Sequence, residues 1–144
     1  MSSVRYFVYA TSVSVYLLMV VGAYLTANPG FGLACPDWPL CHGQLIPPLI
    51  GPIIFEYAHR LLTVLTTLLL LISAITVLRI RSRARGAFRA LIVALMLLVA
   101  QIILGGIVVF SGLHGAITTL HQALALAIFG TVIIAATILR REGL

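Results

Sequence analysis

Four histidines, three acids and two cysteines are the residues in this chain best suited to chemistry: His42, His59, His114, His121, Asp37, Glu56, Glu142, Cys35 and Cys41. Two of them stand together with an arginine in "EYAHR", residues 56–60. On a helix Glu56 shares a face with His59, about 4.5 Å along the axis. A carboxylate beside an imidazole can take protons or stabilise developing positive charge. A glutamate at a helix start can equally face lipid headgroups and complement the positive end of the helix dipole.

His121 is the natural partner of His59. His59 lies 20 residues before Arg79, and His121 lies 19 before Arg140. On two helices running the same way through a membrane, this spacing puts both imidazoles at one depth. Imidazole suits iron, and bundle cores site cofactors between facing helices. The pair could therefore supply both axial ligands of one haem lying parallel to the helices. A single intramembrane histidine serves equally well as a helix–helix hydrogen-bonding group. E-x-x-H spacing also fits di-iron carboxylate sites, but those need a second such motif and two more carboxylates. Asp37 and Glu142 are the only other acids.

The cysteines sit in "GLACPDWPLCHG", residues 32–43, the least membrane-like stretch of the chain. Five residues separate Cys35 from Cys41, whereas covalent haem attachment wants C-x-x-C-H. A zinc site would need a fourth ligand that no nearby residue supplies. On an oxidising face of the membrane a disulfide is favoured over two free thiols, and closing so short a loop contributes about 2 kcal/mol.

The elements that must position these residues are set by composition. The chain is 62% hydrophobic and 8% charged, against about a quarter charged in soluble domains. Apolar runs predict four spans, at 6–26, 53–78, 87–110 and 116–139, each able to cross a hydrocarbon core of about 30 Å. Backbone groups in lipid must pair within the segment, so the spans are helices. The fold class is an all-α membrane protein, a four-transmembrane-helix bundle of two hairpins, forming a single domain over residues 1–144. The net charge of +6 comes from nine arginines. Eight flank the apolar runs: Arg5, Arg79, Arg81, Arg83, Arg85, Arg89, Arg140 and Arg141. That is the positive-inside pattern, with anionic lipid rather than nucleic acid as the partner. Both termini are then cytoplasmic, and the loop 27–52 is outside. The first span is too long for a signal-peptide core and no clear cleavage site follows it, so it is expected to be retained.

All six prolines fall between the first two spans, so no regular helix is expected there until about Ile53. The hairpins form a topological repeat with slight sequence identity. Gly22, Ala23, Gly105 and Gly106 could leave flat room for a porphyrin at the depth of the histidines, or simply let helices pack closely. Arg60, the one arginine outside the charge rule, could pair with a haem propionate or snorkel to the interface. Trp38 reads as an interfacial anchor or a loop-packing residue. Gln101 and Gln122 read as helix–helix hydrogen bonds. Thr63, Thr66 and Thr67 could bond backbone carbonyls or line a pocket. His42 and His114 belong to the outer loops, with His114 a candidate for the mouth of the site.

Together, the cysteine loop, "EYAHR", "QIILGG" at 101–106 and "HQALA" at 121–125 resemble the haem A synthase family. Family members have eight spans in two four-helix halves, and this chain resembles the N-terminal half. The resemblance implies oxidation of the C8 methyl group of haem O to a formyl group, giving haem A for terminal oxidases. It implies His59 and His121 as axial ligands of haem iron, Glu56 as the catalytic carboxylate and Cys35–Cys41 as a disulfide; Arg60 is taken as cofactor-binding from its position beside His59, through the propionate pairing above. It further implies a multi-pass protein of a prokaryotic plasma membrane, with its site toward the outer face. Haem O is the implied substrate, and haem O synthase and a terminal oxidase are candidate partners. The family's other half holds a haem b. A half-size chain is accordingly expected to form a homodimer or higher homo-oligomer. The alternative is a non-catalytic bis-histidine cytochrome b that carries electrons or haem.

Overall fold

A computed structural model describes residues 2–144 as five helices: α1 Ser2–Ala27, α2 Pro29–Gly32, α3 Ile53–Leu78, α4 Arg85–Phe110 and α5 Gly115–Arg141. The four long helices contain no proline, and their best 18-residue windows have mean hydropathies of 1.7 to 2.8. Punctuation sets their ends. Asn28 and Pro29 follow α1, and Pro52 precedes α3. Beyond α4 and α5 the chain turns through Gly112 and Gly143, at φ +63° and +67°, a backbone region that costs glycine nothing.

The helices run beyond the predicted apolar spans into their charged ends, taking in Arg85, Arg140 and Arg141. A helix continues as long as its backbone bonds are made, so hydropathy marks the lipid boundary and not the last turn. The proline-rich loop also departs from expectation. It opens with the single turn α2, with Pro29 at its first position. Proline fits there because its missing N–H has no intrahelical partner to lose.

The long helices form a ring in the order α1, α3, α4, α5, with α5 closing back on α1. Hence α3 and α5 face each other across the diagonal. At the end carrying Arg79–Arg89 the centre is filled by Val8, Leu70, Val77, Leu91, Val132 and Leu139, all fully buried. Two hydroxyl pairs stitch α1 to α3 inside the bundle, Thr11–Ser73 at 2.9 Å and Ser14–Thr66 at 2.7 Å. Toward the other end, where the long loop lies, a cavity replaces this core. The outward faces are apolar: Met96, Val99 and Leu120 are each 60% exposed. In water such faces would be an aggregation hazard, whereas in a bilayer they are the solvated surface. The chain is a multi-pass membrane protein.

Candidate functional site

The cavity measures about 550 Å³ and is walled by all four long helices and the loop, within the usual range for small-molecule and cofactor sites. His59 and His121 both line it. Each lies six residues past the first residue of its helix, Ile53 of α3 and Gly115 of α5. The equal spacing places the two imidazoles at matched height on diagonal helices.

Each ring rests in a glycine notch on the neighbouring helix. A Cβ on Gly22 of α1 would lie 3.1 Å from His59 Cε1, and one on Gly105 of α4 would lie 3.2 Å from His121 Cε1. Both glycines stand five residues before the ends of their helices, Ala27 and Phe110. The repeat thus extends to the seats of the histidines. These glycines hold the rings rather than leaving open floor, and Gly106 is covered by Trp38, whose Cδ2 would be 3.0 Å from an added Cβ. In both histidines Nδ1 is buried without a partner among the described residues. His121 Nε2 meets Gln101 Nε2 at 3.2 Å. Gln122 donates to Thr26 Oγ1 at 3.0 Å, joining α5 to α1.

Glu56 lines the cavity but is only 4% exposed. Its Oε2 accepts the Cys35 N–H at 2.7 Å, and its Oε1 accepts from Arg60 Nη2 at 2.6 Å. Arg60 spends its other donors on the loop, bonding the carbonyls of Cys35 (3.3 Å), Asp37 (3.0 Å), Pro39 (3.3 Å) and Leu40. A planar guanidinium offers five donors in a fixed fork, which suits it to gathering several carbonyls at once. Glu56 and Arg60 therefore form one clamp from α3 onto the cysteine loop.

The loop is organised from within as well. Cys35 and Cys41 are joined by a disulfide with a Cα–Cα distance of 4.7 Å. The Asp37 carboxylate accepts the N–H groups of His42 and Gly43, each at 2.7 Å. These bonds, that from Gly43 first, hold its pKa below the ordinary carboxylate value. His42 Nε2 donates to Ala34 O at 2.9 Å. Held in this way, the loop projects Trp38 and Pro39 into the cavity wall.

Of the remaining candidates, Thr63, Thr66 and Thr67 both bond helix carbonyls and line the cavity. His114 is exposed at the start of α5 and lies outside the cavity wall, where Leu113 takes the place foreseen for it. Among the described residues no group of three or more His, Cys, Asp or Glu side chains could cage a bare metal ion. Gln101 and Gln122 make helix–helix hydrogen bonds, as their positions in the spans suggested, but the sequence did not indicate that the partner of Gln101 is His121. Nor did it indicate Asp37 as the organiser of the loop.

Fold and site define a four-helix membrane protein with a paired-histidine cavity toward one end, roofed by a disulfide-bridged loop. Residues 49–133, which hold both histidines, Glu56, Arg60 and Gln101, match the COX15-CtaA family, described as cytochrome oxidase assembly protein, and the chain belongs to that family. It is 36% identical over 126 residues to heme A synthase of Symbiobacterium thermophilum, covering 85% of this chain and 40% of that protein. To heme A synthase of Geobacillus thermodenitrificans it is 31% identical over 134 residues, covering 92% and 42%. To protoheme IX farnesyltransferase of Haloarcula marismortui it is 37% identical over 127 residues, covering 88% and 26%. The chain thus spans less than half the length of these relatives. No solved structure matches it.

Proposed function

We propose that this chain provides a haem A synthase four-helix unit, oxidising the C8 methyl group of haem O to a formyl group. The observation that carries the reading is the pair of equivalently seated histidines, His59 and His121, on diagonal helices around one cavity. A bis-histidine haem fits these residues. The cavity is mainly apolar and of cofactor size, and each ring has Nδ1 sealed, so Nε2, free in His59 and bonded to Gln101 in His121, is the nitrogen that would ligate iron; among the described residues no group of three or more His, Cys, Asp or Glu could cage a bare metal ion. When bound, haem iron supplies the redox chemistry. His59 and His121 hold it, and the apolar lining excludes water.

Glu56 is the proposed catalytic carboxylate. Each of its oxygens already holds one donor, and a carboxylate has about four acceptor sites, so it can receive a proton from the cavity side without leaving the clamp. Arg60 holds Glu56 in place; its donors are engaged by the loop, which favours this task over pairing with a haem propionate. In this reading the termini are cytoplasmic, the loop and cavity face outside, and residues 1–144 act as one domain. A homodimer or higher homo-oligomer, with haem O synthase and a terminal oxidase as partners in supply and delivery, belongs to the same proposal.

A second reading, a non-catalytic bis-histidine cytochrome b, gains from one observation. Glu56 and the cysteine loop have a structural task in the clamp, so their presence does not by itself demand catalysis. Co-expression with a haem O supply, followed by pigment analysis, separates the two. The synthase reading requires haem A from the unmodified protein. It also requires that Glu56→Gln, which keeps the shape and removes the charge, retain haem and lower conversion by roughly 10²–10⁴-fold. Haem A formation by Glu56→Gln at the unmodified rate removes Glu56 from catalysis, and bound haem without any haem A favours the cytochrome.

A further inference from the structure

The two histidines are seated alike but partnered differently. His59 makes no ring hydrogen bond among the described residues, and its Nδ1 is sealed. His121 Nε2 lies 3.2 Å from the amide nitrogen of Gln101, a side chain only 8% exposed. Among the described residues Gln101 Oε1 has no partner, so this is the contact that fixes the amide. Which end of an amide is nitrogen is an assignment made from hydrogen bonding, and both orientations have one consequence. With nitrogen toward the ring, the amide N–H donates into the Nε2 lone pair. With oxygen toward the ring, it accepts from Nε2–H, and a protonated Nε2 has no lone pair to offer. In either case the electron pair that His121 would give to iron is occupied, while that of His59 is free.

We infer that Gln101 makes His121 the exchangeable axial ligand and leaves His59 the permanent one, so that a diatomic molecule can take the iron position on the α5 side. This rests on the bis-histidine reading above. Gln101 acts through His121 and is a positioning residue. Each time His121 leaves the iron it recovers a hydrogen bond, and each return costs that bond. A net neutral hydrogen bond of ordinary strength alters such an equilibrium roughly 3- to 10-fold. A purely structural role in joining α4 to α5 would leave ligand exchange unaltered.

The test uses carbon monoxide as the diatomic probe on the reduced, haem-loaded full chain, with absorption spectra recording spin state. Gln101→Leu should lower carbon monoxide affinity 3- to 10-fold and raise the low-spin, six-coordinate fraction. Gln101→Met, similar in length but without an amide, should do the same, which separates the hydrogen bond from packing. His121→Ala should keep haem as a high-spin species that binds carbon monoxide more tightly than the unmodified protein, whereas His59→Ala should lose haem. Unchanged carbon monoxide affinity in both Gln101 variants overturns the inference, as does loss of haem from His121→Ala as complete as from His59→Ala. No Soret band in the unmodified protein overturns the bis-histidine reading itself, a failure visible before any variant is made.

Discussion

Gly22→Ala is the most economical probe of the paired site, because it adds one methyl group at a known distance from one histidine. The new Cβ would lie 3.1 Å from His59 Cε1, and ordinary van der Waals contact begins at 3.4 Å, so the ring must give by about 0.3 Å. Two effects on stability oppose each other. Replacing glycine by alanine inside a helix favours the helix by about 1 kcal/mol, and tight packing costs about 1–3 kcal/mol. The fold should therefore change in stability by less than about 2 kcal/mol. Ligand placement is less forgiving, since a functional constellation must be held within about 0.5 Å of its productive geometry. A displacement of 0.3 Å uses most of that tolerance, so haem affinity should fall by roughly tenfold, equivalent to about 1.4 kcal/mol. Gly130→Ala is the control, because nothing lies within 4 Å of its added Cβ. It should stabilise α5 by up to about 1 kcal/mol and leave haem affinity alone. The assay is a haem titration followed at the Soret band in mild detergent, with thermal unfolding measured on the same samples. If Gly22→Ala binds haem as tightly as Gly130→Ala, the notch does not position His59 and the reasoning fails.

Three further outcomes follow from the loop. Arg60→Ala leaves Glu56 buried without its ion-pair partner and frees four carbonyls; thermal unfolding should show a loss of about 3–5 kcal/mol, and the loop should become protease-sensitive. An unchanged melting temperature would contradict the clamp. Cys35 and Cys41 should label with thiol reagents only after reduction, and Cys35→Ser should cost about 2 kcal/mol without preventing membrane insertion; labelling of the native protein would deny the bridge. The third concerns pH. The pKa of Asp37 is lowered from 3.8 by the Gly43 and His42 N–H groups, so its contribution to loop order is fully present above 3.8. That contribution is lost only as pH falls through the lowered value. Trp38 fluorescence should hold steady down to pH 4 and change below it, with Asp37→Asn abolishing that acid transition; a transition at pH 5 or above would point to another group.

Much of the fold was legible because lipid imposes a simple rule. Apolar runs of the right length must be helices, and clustered arginines set which ends lie together, so α1, α3, α4 and α5 could be read from hydropathy and charge alone. The boundaries were less legible, as Arg85 and Arg141 show, because hydrogen bonding carries a helix past its apolar stretch. The single turn α2 was missed because proline was read as a breaker, when at a first helical position it starts a turn.

For the site, the sequence by itself singled out residues that the structure gathers around one cavity, and set the two histidines at matching positions along their helices. His59 and His121 stand at matching distances from arginines that must stay near one membrane surface, and Glu56 and Arg60 share the His59 helix by spacing alone. Periodicity and the cost of burying charge in lipid fix those relations without any knowledge of packing. Rotation and pairing between helices came only from the tertiary structure. It set α3 and α5 on a diagonal, put Gly22 and Gly105 against the imidazoles, turned Gln101 toward His121 and drew the Glu56–Arg60 pair onto the loop. These are contacts between residues 16 to 37 positions apart, made by short-range forces that act only after the helices have chosen their neighbours. Nothing in the local pattern of a greasy helix specifies which of its faces meets which partner, and that choice decided which nitrogen of which histidine is free.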